Sequence, residues 1–302
     1  MKVLVSDGIE KVGSDLLKNA GIEVVEQKLT PEELLQEINK YAAIIVRSAT
    51  KVTKEVIDAG TNLKAIGRGG VGLDNIDVEY AKSKGIPVLN TPGASSISVA
   101  ELAIAHMFSV SRFLNTSSME MKAGKWPKKE YAAGVELTGK TLGLLGFGNI
   151  GKETAKRALG LGMKVIAFDP FVNSTDLDVK LCSKDEVLQN SDYISLHLPL
   201  IKGEPVPVAA PEFEKMKKGV IVINCARGGV VDEAALLSAL NSGKVAAAGL
   251  DVFVNEPTTD AQKELIAHPR VSATPHIGAS TNEAQDRVGI EIAQKIVDAI
   301  KK

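Results

Sequence analysis

TLGLLGFGNIGKETAKRALGLGMKVIAFD, residues 141–169, runs from an apolar strand through a glycine-rich turn and a helix into a second strand that ends on Asp169. Gly146, Gly148 and Gly151 stand in the spacing G-x-G-x-x-G, directly after the first strand and directly before the helix. The first glycine permits the tight turn, the second lets backbone approach a pyrophosphate, and the third lets helix and strand pack closely, while the helix N-terminus favours negative charge. Strand, turn, helix, strand and terminal acid occur in the order of a dinucleotide-binding unit. Asp169 would accept hydrogen bonds from ribose hydroxyls and repel a 2′-phosphate, so NAD is expected over NADP.

Working outward, short β-rich runs alternate with helical patterns along the whole chain: 2–6, 42–46, 63–67, 87–90, 141–147, 164–169, 193–198, 219–225, 246–253 and 271–275. Continuous apolar strands separated by helices of ten or more residues imply parallel sheets covered on both faces, hence an α/β protein. The dinucleotide strand begins only at 141, so the preceding residues must form a sheet of their own. NTPGASSISVAELAIAH marks the crossing, where Pro92 and a serine-rich turn open a long helix. The expectation is two Rossmann- or flavodoxin-like doubly wound parallel-sheet domains with a cleft between them. Residues 1–92 with 283–302 form a substrate-binding lid, and 93–282 form the nucleotide-binding domain, including the interdomain helix. The final amphipathic helix, TNEAQDRVGIEIAQKIVDAIKK, packs back on the first domain.

The chain has 302 residues, enough for about two domains and for burial of roughly three-quarters of the unfolded surface. Lys plus Arg number 36 against 37 Asp plus Glu, without a block of like charge, which offers no footprint for nucleic acid or a membrane surface. A small-molecule partner fits better. Cys182 and Cys225 form no metal-type spacing and are too few for a disulfide scaffold; no metal is expected. MKVLVSDGIE reads as a first strand rather than a signal peptide, and no apolar run is long enough to span a bilayer. A reducing cytoplasm is the expected location.

Three segments in the last third carry the chemistry: Arg227 in NCARGGVVDE, Glu256 in LDVFVNEP and His276 in TPHIGAST. Arginine can hold a carboxylate through two parallel hydrogen bonds, histidine moves a proton near neutral pH, and a buried glutamate beside it can tune it. Each lies just beyond a strand-like run, where open α/β sheets keep their ligands. His106, inside the apolar helical pattern 99–110, reads as a packing residue, His268 as a solvated loop residue, and Cys225 as a small buried thiol.

GRGGVGLDNIDVEYAKSKGIPVLNTPG, LLGFGNIGKETAKR, NCARGGVVDEAAL, GLDVFVNEP and PHIGAST together resemble the D-isomer-specific 2-hydroxy-acid dehydrogenases, over nearly the whole chain. RSATKVT, MKAGKWPKKEYAAGVELTGKTLG and HIGASTNEAQ are most similar to the family members that oxidise 3-phospho-D-glycerate to 3-phosphohydroxypyruvate, an entry to serine synthesis. The resemblance implies that Arg227 binds the substrate carboxylate and carbonyl, that His276 is the acid/base and that Glu256 pairs with it. It places Asn149 and Ile150 at the pyrophosphate, Asp169 on the adenosine ribose, and His197, Leu198 and Pro199 along the adenine side. Cys225 and Ala226 would line the nicotinamide half, Asp251 would meet its carboxamide, and Gly278 and Ala279 also fall on the cofactor side. Val71 and Gly72 would offer N–H groups to the substrate carboxylate. Arg47, Lys128 and Lys129 would meet a substrate phosphate, the lysines across a homodimer interface formed near 95–118. Family members close the first domain over the second when loaded.

Where many relatives carry a threonine-bearing stretch, this chain has LPLIKGEPVPVAAPEFEKMKKG, with four prolines between 199 and 211. It ends at Lys302, so a short form without a C-terminal regulatory extension is expected. The competing activity is reduction of hydroxypyruvate, glyoxylate or another 2-oxo acid with the same three residues. The competing class is a non-catalytic, NAD-responsive corepressor-like protein on the same fold; intact Arg227, Glu256 and His276 favour the enzyme.

Overall fold

The computed structural model describes residues 1–201 and 203–301; Lys202, within the proline-rich segment, and Lys302, the last residue of the expected lid, lie outside the described residues. The chain divides into two compact units, Met1–Ser96 with Ala279–Lys302, and Ile97–Gly278. These divisions fall a few residues from 92/93 and 283. Gly278 donates its N–H to Asp251 in the second unit, while Gln285 donates to the Ala279 carbonyl in the first.

In the first unit the strands β1 (Lys2–Val5), β2 (Glu23–Glu26), β3 (Ala43–Val46), β4 (Ala65–Arg68) and β5 (Val88–Asn90) form one parallel sheet in the order β2-β1-β3-β4-β5. Side chains alternate between its faces. Val3, Val5, Ala43, Ile45 and Ala65 pack with Ile292, Ile296 and Ile300 of the final helix, Asn282–Lys301. Leu4, Ile44, Val46 and Ile66 pack on the other face with Leu34, Ile38, Val56 and Ile57. Both faces are thus covered, which is why the strands read as unbroken apolar runs.

The second unit adds β6 (Thr141–Leu145), β7 (Lys164–Phe168), β8 (Val179–Leu181), β9 (Tyr193–Leu196), β10 (Val220–Asn224), β11 (Val245–Leu250) and β12 (Val271–Ala273), again all parallel. Their order is β12-β11-β10-β9-β6-β7-β8, so the winding reverses between β6 and β9 and opens a ligand-binding switch point beyond their carboxyl ends. The α/β class with two doubly wound sheets is as the sequence implied. Leu145, Ile194, Leu196, Val222 and Leu250 form the sheet side of the core against Phe213, Leu236 and Leu240. The helix Ser96–Ser111 is followed, after a 65° bend, by Leu114–Lys122, and Phe113 at the bend takes the left-handed conformation with φ 56°. Among the described residues no single helix is long and apolar enough to cross a membrane.

Ile292 has 0% exposure beneath the first sheet. Ile292→Ala should lower unfolding free energy in urea by about 2–5 kcal/mol, the cost of lost burial plus the cavity left behind.

Candidate active site

The glycine-rich turn is built by close approach at β6 and β9. Gly146 has φ +96°, and a Cβ there would stand 2.4 Å from the His197 carbonyl oxygen. A Cβ on Gly151 would lie 2.4 Å from the Gly146 oxygen, so neither position tolerates a side chain. Gly148, by contrast, faces open space. It begins the helix Asn149–Gly160 with no side-chain cap and no acidic residue in the first turn, an N-terminus suited to an anion. Asn149 and Ile150 supply that first turn.

Asp169, just past β7, accepts the Phe147 N–H at 2.8 Å and the Phe171 N–H at 2.9 Å, which ties the end of β7 to the glycine turn. His197, just past β9, bonds Ser195 Oγ through Nε2 at 3.0 Å, and its Nδ1 is buried without a partner. Burial pushes this imidazole down to about 4, so it is neutral near pH 7. Leu198 is half-buried and Pro199 exposed. Cys225 and Ala226 continue β10 and are buried; burial pushes the Cys225 thiol far up, which keeps it protonated and inert. The open space at Gly148, the uncapped helix and the orphaned His197 nitrogen fit a bound dinucleotide. Gly148, Asn149 and Ile150 would hold its pyrophosphate and Asp169 its ribose.

Arg227, Glu256 and His276 follow three neighbouring strands, β10, β11 and β12. Asn224, the last residue of β10, donates to the Arg227 carbonyl at 3.0 Å and accepts from Ala226 N–H at 3.1 Å, pinning the turn that carries Arg227. The next residue, Gly228, packs so tightly on the Phe253 carbonyl that a Cβ would meet it at 1.8 Å. Arg227 is half-buried, and its Nη1 donates to the Ala226 carbonyl at 2.7 Å. Glu256 accepts the Phe253 N–H on Oε1 at 3.0 Å and meets His276 Nδ1 with Oε2 at 2.6 Å. The sequence reading of Glu256 as buried is corrected: its side chain is 36% exposed and that of His276 47%. The pair opens on a pocket of about 520 Å³ lined also by Phe253, Pro257, Ile266, Thr274 and Pro275. With Nδ1 engaged by the carboxylate, His276 Nε2 is the nitrogen left to exchange a proton with a ligand.

Asp251, 1% exposed, holds this turn from inside. It accepts from Thr274 Oγ1 at 2.6 Å, Ile277 N–H at 2.9 Å and Gly278 N–H at 2.8 Å. The sequence reading had it meet the nicotinamide carboxamide; here both its oxygens are engaged by the turn.

In the first unit, Arg47 follows β3, and Val71 and Gly72 lie in the loop after β4. Asp7 accepts the N–H groups of Arg47 at 2.8 Å and Thr50 at 2.9 Å, and Asn75 donates to the carbonyls of both at 2.9 and 2.6 Å, joining the two loops. Asn90 holds the Val71 carbonyl at 2.7 Å. Among the described residues the half-buried Arg47 guanidinium makes no hydrogen bond or ion pair, and burial holds its pKa below the ordinary value against the charges of Glu10 and Asp7. Lys128 and Lys129 are exposed in the segment after Leu114–Lys122, and no side-chain bond among the described residues ties them to Arg227, Glu256 or His276. Asp7, Asn75 and Asn224 are braces the sequence reading did not single out. A polar residue at the carboxyl end of an apolar run, as in KVLVSD and VIVIN, was the available signal.

A glycine-rich turn at the switch point of a doubly wound sheet, with a histidine–carboxylate pair and an arginine beyond adjacent strands, defines a nucleotide-dependent oxidoreductase. Residues 104–278 match the NAD-binding domain of the D-isomer-specific 2-hydroxyacid dehydrogenases. The chain belongs to that family, and its cofactor is NAD. It is 52% identical over 297 residues to a hydroxypyruvate reductase of Thermotoga maritima, covering 98% of this chain and 97% of that protein. It is 48% identical over 305 residues to a D-3-phosphoglycerate dehydrogenase of Archaeoglobus fulgidus, of whose length it spans 58%. Among solved structures it is similar to D-lactate dehydrogenase from Aquifex aeolicus complexed with NAD and lactic acid, with a TM-score of 0.85, 31% identity and coverage of 100% of this chain and 96% of that one.

The low pKa of His197 has a thermodynamic signature. Between pH 6.5 and about 4 the unfolded chain binds a proton here that the folded ring refuses, so stability falls as pH drops through that window. The thermal midpoint of the protein should decline over this range more steeply than that of His197→Gln.

Proposed function

We propose that the protein interconverts 3-phospho-D-glycerate and 3-phosphohydroxypyruvate, with His276 as acid/base, Glu256 as its charge partner and Arg227 as the carboxylate clamp. The carrying observation for the chemistry is the 2.6 Å contact between His276 Nδ1 and Glu256 Oε2, which leaves one ring nitrogen for the substrate. Bound NAD supplies the acceptor for the hydride lost from substrate C2. In oxidation, His276 Nε2 takes the C2 hydroxyl proton as the carbonyl forms, and Glu256 stabilises the imidazolium that results. Arg227 holds the carboxylate and polarises the substrate oxygen. In reduction His276 returns the proton to the carbonyl oxygen.

The half-buried Arg47, whose guanidinium makes no hydrogen bond or ion pair among the described residues, supports a substrate with a second anionic group, and the exposed Lys128 and Lys129 add mobile positive charge from a second copy of the chain. That copy would cover the apolar side chains exposed on the two bent helices and just beyond, Phe108, Leu114, Met119, Met121 and Trp126. A second reading is hydroxypyruvate reductase, favoured by the match along 97% of the Thermotoga protein.

His276→Ala should reduce kcat by about 10²–10⁴-fold, the usual worth of positioned acid/base catalysis. Arg227→Ala should lower kcat and raise KM together, because the carboxylate loses its bidentate donor. Steady-state kinetics on both variants check these two roles; near-normal turnover by His276→Ala would remove the mechanism.

Substrate choice is read from kcat/KM with 3-phosphohydroxypyruvate and hydroxypyruvate side by side. The ester should be preferred, and Arg47→Ala or the double substitution Lys128→Ala/Lys129→Ala should raise KM for the ester by about 10-fold or more while sparing hydroxypyruvate. A higher kcat/KM for unphosphorylated hydroxypyruvate would establish the second reading instead.

A further inference from the structure

His106 sits in the middle of the apolar helix Ser96–Ser111 and is 2% exposed. Burying two ring nitrogens is costly unless both are bonded, and both are. Nδ1 lies 3.0 Å from Ser272 Oγ and Nε2 lies 3.1 Å from Thr274 Oγ1. Ser272 Oγ also accepts from Asn115 Nδ2 at 2.9 Å, and Thr274 Oγ1 donates to Asp251 Oδ1 at 2.6 Å. The helix comes so close to β11 that a Cβ on Gly249 would meet the His106 Cβ at 2.5 Å.

The direction of each bond follows from the end of the chain. An ionised carboxylate only accepts, so the Thr274 proton points to Asp251 and the Thr274 oxygen must accept from His106 Nε2–H. Burial lowers the His106 pKa, with the Asp251 charge opposing, so the ring is neutral and carries one N–H. Nδ1 therefore accepts from Ser272, whose oxygen accepts from Asn115. Asn115, Ser272, His106, Thr274 and Asp251 form one polarised series in which every hydrogen points toward the carboxylate.

What that carboxylate holds is a strained turn. His276 has φ 54°, the left-handed region that a histidine rarely takes. Its N–H donates to the Asp251 carbonyl at 2.8 Å, and the next two N–H groups go to the Asp251 carboxylate. We propose that His106 is a positioning residue for His276: its Nε2–H fixes the Thr274 hydroxyl, which orients Asp251 and so holds the left-handed turn in place. The part of this proposal that concerns turnover rests on His276 being the acid/base; the part that concerns the turn does not.

The test compares three substitutions by hydrogen–deuterium exchange and by kinetics. Glutamine places an amide nitrogen close to the position of Nε2 and keeps the Thr274 bond. Asparagine reaches only the position of Nδ1 and keeps the Ser272 side. Leucine keeps neither. In His106→Leu the amides of Thr274, His276, Ile277 and Gly278 should exchange about tenfold faster while those of β6 and β7 are unchanged, and kcat should fall by about tenfold, the scale of one buried hydrogen bond, with KM unchanged for both substrates. His106→Gln should restore both readouts and His106→Asn neither. Equal behaviour of Gln and Asn, exchange of 274–278 unaltered in the leucine variant, or acceleration spread over the whole unit would overturn the proposal. A wild-type protein without turnover would remove the proposed function, and the exchange data would still decide the relay.

Discussion

Every strand pairing in both sheets is parallel, and that constraint arranges the rest of the molecule. A parallel pair cannot be closed by a tight turn, so the chain must cross back over a face of the sheet before each new strand. Those crossovers bury both faces and make the strands continuously apolar. They also deliver every strand's carboxyl end to one edge. The glycine turn, Asp169, His197, Arg227, Glu256 and His276 follow β6, β7, β9, β10, β11 and β12 respectively. Residues spread over more than a hundred positions share that edge because of connectivity.

Loops at such an edge leave backbone N–H groups without a ladder, and buried N–H groups must be satisfied. Both units answer in the same way. Asp7, beyond β1, accepts two N–H groups of the loop after β3, and Asp251, beyond β11, accepts two N–H groups of the loop after β12. In each case the carboxylate stands on a strand neighbouring the loop it holds, and a threonine hydroxyl completes the set, Thr50 in one unit and Thr274 in the other. A charged group in the interior is tolerated because three or more donors converge on it. The geometry of the Arg47 and His276 loops thus depends on side chains in separate parts of the sequence.

That separation marks the limit of what the sequence made legible. Ten of the strands, the glycine turn and the final helix were readable because their signals are local: apolar runs, G-x-G-x-x-G spacing and helical periodicity. β2 and β8 were not. β5 and β12 are just as short and also lie at sheet edges, but β2 and β8 carry Glu23, Glu26 and Lys180 within their three or four residues, so no apolar run announces them. Arg227, Glu256 and His276 were visible as residue types in turn contexts, but the exposure of Glu256 was not, since burial depends on what packs around the turn. His106 was read as a packing residue and is buried as one, but its hydrogen bonding was illegible for a related reason. A histidine in an apolar helical pattern resembles core packing, and only the hydroxyls of Ser272 and Thr274, more than 160 positions away, give its two nitrogens an occupation.

Two carboxylates serve the same five-residue turn, and burial separates what each can do. Asp251 is nearly inaccessible and its oxygens are committed to N–H and O–H donors that do not change charge. It can therefore hold backbone but has little capacity to answer a new positive charge on the ring. Glu256 is partly exposed, takes one N–H from Phe253, and turns its other oxygen to His276 Nδ1. In the proposed reaction, a proton gained at His276 Nε2 would leave a ring charge shared across the 2.6 Å contact with Glu256, and the backbone scaffold on Asp251 need not move. Dividing the two tasks between two carboxylates would let the proton of the proposed reaction come and go while the left-handed turn that carries the imidazole stays fixed.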